Sequence, residues 1–405
     1  MYKFVERFID KDSINRNLLL LLLIGGLYSL GIFLSNTFVN VYLWRQTNDF
    51  LTIAMYNLAI FIFQPITFII AGKLAKKVDR IIVLRLGVIF LTLFFLTVLI
   101  IGNKAAYYNI LLGCLLGIGY GFYWLAFNVL TFEITEPETR DFFNGFLGGL
   151  ESLGGMIGPI FAGFLITKLK TEIGYTTIFS ISLSLFVLAV ICSFFLDRRK
   201  AEGKFDLKKV FAEVKRNDNW RNTVLANIFQ GMRDGIFVFV VTIWVFLVTK
   251  SEFALGIINF TLSFMSLFFY LVVTKEMKQH LRKKAIFLGR FLISFSVFII
   301  LFELTFVHLL IYSFIIGIAY PIINVPFNSM TYDIIGTSTD ARELRIEYVV
   351  GLEICVNVGR VISLIIFILT ISIFPTNESI PILLAIFSQA YLFIYVFMKR
   401  VRLTI

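Results

Sequence analysis

Charge is scarce in this 405-residue chain: Asp, Glu, Lys and Arg make up 16% of it, against 59% hydrophobic residues. Soluble domains carry about a quarter charged residues and about half apolar ones, so a water-soluble globular fold is excluded. Cysteine is down to three, Cys114, Cys192 and Cys355. Each lies inside an apolar run with no metal-ligand spacing around it, which leaves packing thiols rather than a disulfide framework. The two histidines, His280 and His308, stand apart from other ligands, so no metal site is expected. Proline occurs seven times only, leaving long stretches free for helix. A phosphate-binding glycine loop, a haem ligand set and a nucleophile elbow are all missing, which argues against nucleotide-driven work, against an enzyme and against a cofactor.

What the chain has in abundance is apolar length, including 47 Phe. A helix crossing a bilayer core needs about 20 apolar residues. The sequence supplies such a run near 18–43, 51–72, 82–102, 106–132, 142–168, 175–196, 222–249, 254–274, 285–305, 307–334, 346–373 and 379–398, which predicts twelve spans of an all-α membrane protein. The runs are continuous rather than alternating, so a β-barrel is excluded. The N-terminal stretch MYKFVERFIDKDSINRN is charged and amphipathic and shows no small-residue cleavage pattern, so the first span is read as retained. With that terminus in the cytoplasm, the inner segments hold Lys3 to Arg16, the 73–85 cluster, Arg140, the bases from Arg198 to Arg221, the 275–290 cluster, Arg342, Arg345 and the C-terminal tail, or 30 of 37 basic residues. The outer loops hold Arg45, Lys104, Lys168, Lys170 and Lys250, while Arg233 and Arg360 lie within spans. This bias places both termini in the cytoplasm of a multi-pass cell-membrane protein. Basic loops facing an anionic leaflet also account for the net charge of +11 without nucleic acid. Richness in Lys, Ile, Phe and Asn points to an AT-rich bacterial genome.

The sequence is internally repeated. GIGYGFYWLAFNVLTFE at 117–133 matches GIAYPIINVPFNSMTYD at 317–333 in register, and Gly149-Leu150-Glu151 matches Gly351-Leu352-Glu353 two residues further out of phase. Leu86-Gly87 with Leu288-Gly289, Arg80 with Arg282, and Gly31-Ile32-Phe33 with Gly235-Ile236-Phe237 extend the match. Each copy holds an even number of spans, so both enter the membrane in the same direction, as parallel repeats do. The expected domains are a six-helix bundle over 1–196, a cytoplasmic linker over 197–221 and a second six-helix bundle over 222–405. In the linker, Phe205, Leu207, Val210, Phe211 and Val214 fall along one helical face, suited to the membrane surface.

Two six-helix halves, a long basic central loop and the turn GKLAKKVDRIIVLR at 72–85 resemble the major facilitator superfamily. The family pattern at this turn is Gly-x-Leu-Ala-Asp-Arg-x-Gly-Arg-Lys. Gly72, Leu74, Ala75 and Arg80 match it, whereas Lys76 stands at the acid and Asp79 at the second glycine. The resemblance implies a gating role for Gly72, Asp79 and Arg80. The run GGMIGPIFAG at 154–163 is similar to the glycine-proline pattern of the family's antiporters, which implies gating by Gly158 and Pro159 and a task in export. Small residues at this spacing also serve plain helix packing. In the family fold, spans 1, 4, 7 and 10 line the central cavity. The resemblance thus implies substrate contacts from Tyr28, Asn36, Asn40, Tyr120, Tyr123, Trp124, Asn128, Gln230, Arg233, Trp244, Tyr320, Asn324 and Asn328. A lining of aromatics and amides with little fixed charge suits a bulky amphiphile, and Arg233 leaves room for an anionic headgroup.

Ionisable groups at membrane depth cost roughly 3 kcal/mol on insertion scales and so face a cavity or a partner. Glu151, Asp234 and Glu353 are the candidates for carrying protons, since desolvation brings a buried carboxyl toward proton exchange near neutral pH. Glu151 has no arginine in its own span, whereas Glu353 and Arg360 share a helix face seven residues apart, which favours a structural role for that pair. Glu133 and Asp333 close their spans at the cytoplasmic end and are expected in gate salt bridges, with Arg360 a further gating candidate. The leading expectation is a monomeric secondary carrier that moves an amphiphilic small molecule outward against protons by rocking its halves. Solute uptake by symport, lipid or glycolipid flipping, and a non-transporting membrane scaffold are the alternatives.

Overall fold

The computed structural model describes residues 16–134, 137–197 and 203–402. Twelve helices are long and apolar enough to cross a membrane. They are α1 (Arg16–Thr47), α2 (Phe50–Lys77), α3 (Arg80–Ile101), α4 (Asn109–Ile134), α5 (Pro137–Lys168), α6 (Thr171–Ser193), α7 (Asp218–Thr249), α8 (Glu252–Glu276), α9 (Arg282–Phe302), α10 (Phe306–Gly336), α11 (Arg345–Ile373) and α12 (Thr376–Arg400). A short amphipathic helix, Leu207–Arg216, lies in the linker. All twelve expected spans are present. Several run past their expected ends, because α-helix persists beyond the apolar core: the 32 residues of α1 rise about 48 Å, against a core of about 30 Å.

Local chemistry sets the breaks between spans. Asn48 and Lys250, 202 positions apart, both take left-handed backbone, with φ of 51°. Asp49 and Ser251 then cap the next helix, Asp49 accepting from the Leu51 and Thr52 amides and Ser251 from Ala254. The duplicated chain therefore turns the same way between α1 and α2 as between α7 and α8.

Packing repeats as well. In the first half α1 lies on α5 and α6, α2 on α4, and α3 on α4 and α6; in the second, α7 lies on α11 and α12, α8 on α10, and α9 on α10 and α12. The halves meet along two seams, α5 with α8 and α2 with α11. Association inside lipid gains little from the hydrophobic effect and depends on close backbone approach. Glycine permits it here: a Cβ on Gly256 of α8 would stand 2.7 Å from the Pro159 carbonyl oxygen of α5.

Ion pairs tie the halves at both ends of the interface. At the end bearing the linker, Lys76 Nζ of α2 contacts Glu347 Oε1 of α11 at 2.5 Å, both side chains being under a tenth exposed. The linker joins this contact. Lys76 also donates to the Lys204 and Glu343 carbonyls, the Asp206 amide donates to Glu347 Oε1, and Phe205 seats against Gly72. At the far end, Arg45 Nε of α1 lies 2.7 Å from Glu252 Oε1 of α8, which also accepts from the Tyr175 hydroxyl. Arg45, expected in an outer loop, is thus the last-turn base of α1 and bridges the halves. Arg290 requires a correction too. Counted among inner-loop bases, it lies two turns inside α9 and is 1% exposed, because aromatic faces of α10 and α12 cover it.

Candidate functional site

Between the halves lies a cavity of about 440 Å³. Phe61 and Gln64 come from α2, Tyr120 and Trp124 from α4, Arg233, Asp234 and Phe237 from α7, Asn259 from α8, Tyr312 and Tyr320 from α10, and Arg360 from α11. The expected lining named spans 1, 4, 7 and 10. Here α1 contributes nothing to the wall, while α2, α8 and α11 do.

The charge in this wall is arranged around α7. Asp234 accepts from the Tyr391 hydroxyl of α12 at 2.5 Å and lies 3.8 Å from Arg233 Nη1. Arg233 Nη2 donates to the Tyr312 hydroxyl at 3.0 Å, and its guanidinium sits 4.1 Å over Phe237 and 4.7 Å over Tyr391. Arg290 of α9 also lies 4.3 Å from the centre of the Tyr391 ring. Aromatic faces are how such cations survive burial, since the ring quadrupole attracts the guanidinium without requiring a second carboxylate. Opposite this cluster, Arg360 lies 5.0 Å over Phe61 of the other half.

Arg360 and Glu353 do share a face, but they meet through Asn357 rather than directly. Arg360 Nη1 donates to Asn357 Oδ1 at 3.2 Å, and Asn357 Nδ2 donates to Glu353 Oε2 at 3.3 Å. Glu151 differs. It is half-buried and makes no hydrogen bond or ion pair among the described residues. The titratable groups around it are the hydroxyls of Tyr28, Tyr123 and Tyr270, the last reaching across from α8. Neither Glu151 nor Glu353 lines the cavity.

Of the expected substrate contacts, Tyr120, Trp124, Arg233 and Tyr320 are therefore brought to the cavity, with Asp234 and Arg360 beside them. Others pack elsewhere. Tyr28 and Tyr123 stack on each other with ring centroids 3.8 Å apart and are almost fully buried. Asn40 is held by the Asn57 side chain at 3.0 Å, and Asn324 accompanies the Tyr270 hydroxyl at 3.4 Å. Trp244 lines a mostly apolar space of about 450 Å³ at the far end, beside Trp44 and Phe50. Asn128 faces a separate cavity at the linker end together with Arg80. Asn36, Gln230 and Asn328 are not part of the central wall.

Among the gating candidates, Asp333 pairs with Arg282 at 2.7 Å. Asp79 caps α3 by accepting from the Ile81 amide at 2.9 Å. Gly158 rests on the Phe33–Leu34 backbone of α1, and Pro159 meets Gly256 of α8. The side chain of Glu133 lies outside the described residues, as do Lys3, Lys11 and Arg140. Among the described residues no three His, Cys, Asp or Glu side chains converge as a metal set.

The family model for the Major Facilitator Superfamily matches residues 21–342 of this chain. The chain belongs to the major facilitator superfamily. It is a multi-pass membrane protein of a family of transporters that bind small-molecule substrates. It is 52% identical over 398 residues to "Uncharacterized protein YqgE" of Bacillus subtilis (strain 168), covering 98% of this chain and 93% of that protein. It is also 57% identical over 201 residues to "Uncharacterized protein in sodM 3'region" of Geobacillus stearothermophilus, covering half of this chain and 94% of that sequence.

In this superfamily member the departure at Lys76 has a physical counterpart. A helix N-terminus carries partial positive charge and favours an acid, so a lysine at the start of α11 is unfavourable alone. Glu347, in the first turn of α11, supplies the missing negative charge. Sequence reading missed Glu347, Glu252 and Arg290. The available signal for Arg290 was its place two turns beyond Arg282 inside an apolar run; nothing in the sequence paired Glu252 with Arg45 or Glu347 with Lys76.

Proposed function

We propose that this transporter exports an amphiphilic small molecule in exchange for protons, by alternating opening of its two ends around the central cavity. Glu151 is the coupling acid in this reading, with Asp234 and Glu353 in supporting roles. The observation that carries it is the state of Glu151: a half-buried carboxyl at membrane depth, with no cation or hydrogen-bond donor on it among the described residues, is suited to taking up and releasing protons. Asp234 accepts from Tyr391 and lies beside Arg233, and Glu353 accepts from Asn357, so each already has a partner of a kind that Glu151 lacks among the described residues.

The two cross-half ion pairs are the gates. Opening the linker end separates Lys76 from Glu347, and opening the far end separates Arg45 from Glu252. With the linker in the cytoplasm, as the distribution of basic residues indicates, the Lys76 gate faces inward. The close α5–α8 contact at Pro159 and Gly256, about two turns along α5 from Glu151, holds the lateral seam between the halves.

The test is transport of candidate amphiphiles into proteoliposomes under an imposed pH gradient, comparing wild type with Glu151→Gln. Gradient-driven accumulation is expected in wild type and is lost in the variant, which still exchanges substrate across the membrane. Unchanged coupling in Glu151→Gln would remove that residue from the role.

A further inference from the structure

We infer that the substrate carries a single acidic headgroup, a carboxylate or an equivalent monoanion, on an apolar body. The inference deepens the proposed function and rests on the same cavity. Its basis is a charge imbalance in the wall. Arg233 and Arg290 are each 1% exposed, yet the one carboxylate in their cluster is Asp234. Arg233 Nε, two nitrogens of Arg290 and Arg360 Nε are buried without hydrogen-bond partners among the described residues. On the opposite wall, Arg360 meets no carboxylate directly, its route to Glu353 running through Asn357.

Buried cations in excess of buried anions are costly unless compensated, and a guanidinium lacking hydrogen-bond acceptors is under-satisfied. An anion entering the cavity between Arg233 and Arg360, which both line it, supplies the missing charge and acceptors for these two guanidinium groups; Arg290, outside the lining, adds to the local positive charge. The phenols of Tyr312 and Tyr320 flank that position and can donate to an oxygen of the head. The remaining wall is mostly apolar, with Thr242, Asn259 and Ser313 among its side chains. Val241 and Val245 of α7, with Leu255 and Ile258 of α8, continue from the charged cluster toward the far end. The cavity therefore presents a floor in which Arg233 and Arg360 outnumber Asp234, and a mostly apolar sleeve, which orients an anionic amphiphile head-first. A cationic amphiphile would meet an Asp234 already engaged by Arg233 and Tyr391, with Arg360 opposing its charge, and a neutral one would leave the imbalance in place.

Three probes sharing one body separate these cases: 4-phenylbutyrate, 4-phenylbutanol and 4-phenylbutylamine. Binding to the full-length protein in detergent is read as ligand-induced thermal stabilisation and by mutual competition. The acid is expected to bind about tenfold or more tightly than the alcohol, since hydrogen bonds to charged groups add that much, and the amine more weakly than either. Arg360→Gln and the charge-balanced double variant Arg233→Gln/Asp234→Asn should each lose the preference for the acid while still unfolding cooperatively. Equal binding of acid and alcohol, tighter binding of the amine, or a preference retained in both variants overturns the anionic assignment. Those results leave gradient-driven export by Glu151 intact. Loss of pH-driven transport for every class of compound would instead remove the carrier reading on which this inference rests.

Discussion

Lys76 shows how one residue can preserve a contact while reversing its charge. Lys76 and Glu347 are both buried, so removing the lysine leaves a carboxylate without its cation in a desolvated seam. Lys76→Ala is expected to destabilise the linker-end closure by about 3 kcal/mol, read as a lowered thermal midpoint. Adding Glu347→Ala should recover much of that loss. A double-mutant cycle showing no coupling between 76 and 347 would contradict the gate assignment. The pairing was not readable beforehand. Lys76 looked like one of several loop bases, and only the register of α2 against α11 places it at a helix start. The chain's other silent residues share that cause. Arg45 and Glu252 belong to different halves, and no local pattern connects them, whereas Asp333 and Arg282 were approachable from their positions at adjoining helix ends.

At the scale of helices, the repeat was legible because it resides in sequence, and the same packing recurs in both halves. What sequence could not fix was which face of each helix the cavity uses. Tyr28 and Tyr123 had suitable chemistry and suitable spans, but they satisfy each other by stacking, and α1 turns this face into the packed core. Arg360, on a span not expected to line the cavity, does line it. Close seams also carry a prediction. Gly256→Leu pushes side-chain volume into the Pro159 backbone, where neither helix can yield without moving the other. The expected cost is about 1–3 kcal/mol in denaturation of the purified protein, with reduced transport. Wild-type stability and activity in that variant would show that the α5–α8 seam is not held at this distance in the working protein. A neighbouring test concerns the linker: Phe205→Ala removes the ring that covers Gly72 and should make the buried Lys76 more accessible to amine-reactive labelling. No change would detach the linker from the closure.

For the whole molecule, two six-helix bundles joined by a basic linker and, among the described residues, tied by one cross-half ion pair at each end would, in the proposed cycle, have two exclusive ways to open. The central cavity is lined by both halves, so the proposed rocking would expose it to one side at a time. The most direct measurement is a pair of spin-label distances in a cysteine-replaced background. One is taken across the far end between positions 47 and 253, and the other across the linker end between positions 77 and 342, in wild type and in Glu151→Gln. The glutamine mimics the protonated acid and should shift both distributions in opposite senses, one end widening as the other narrows. Ends that widen together, or distributions that ignore the substitution at Glu151, would contradict proton-coupled alternating access in this protein.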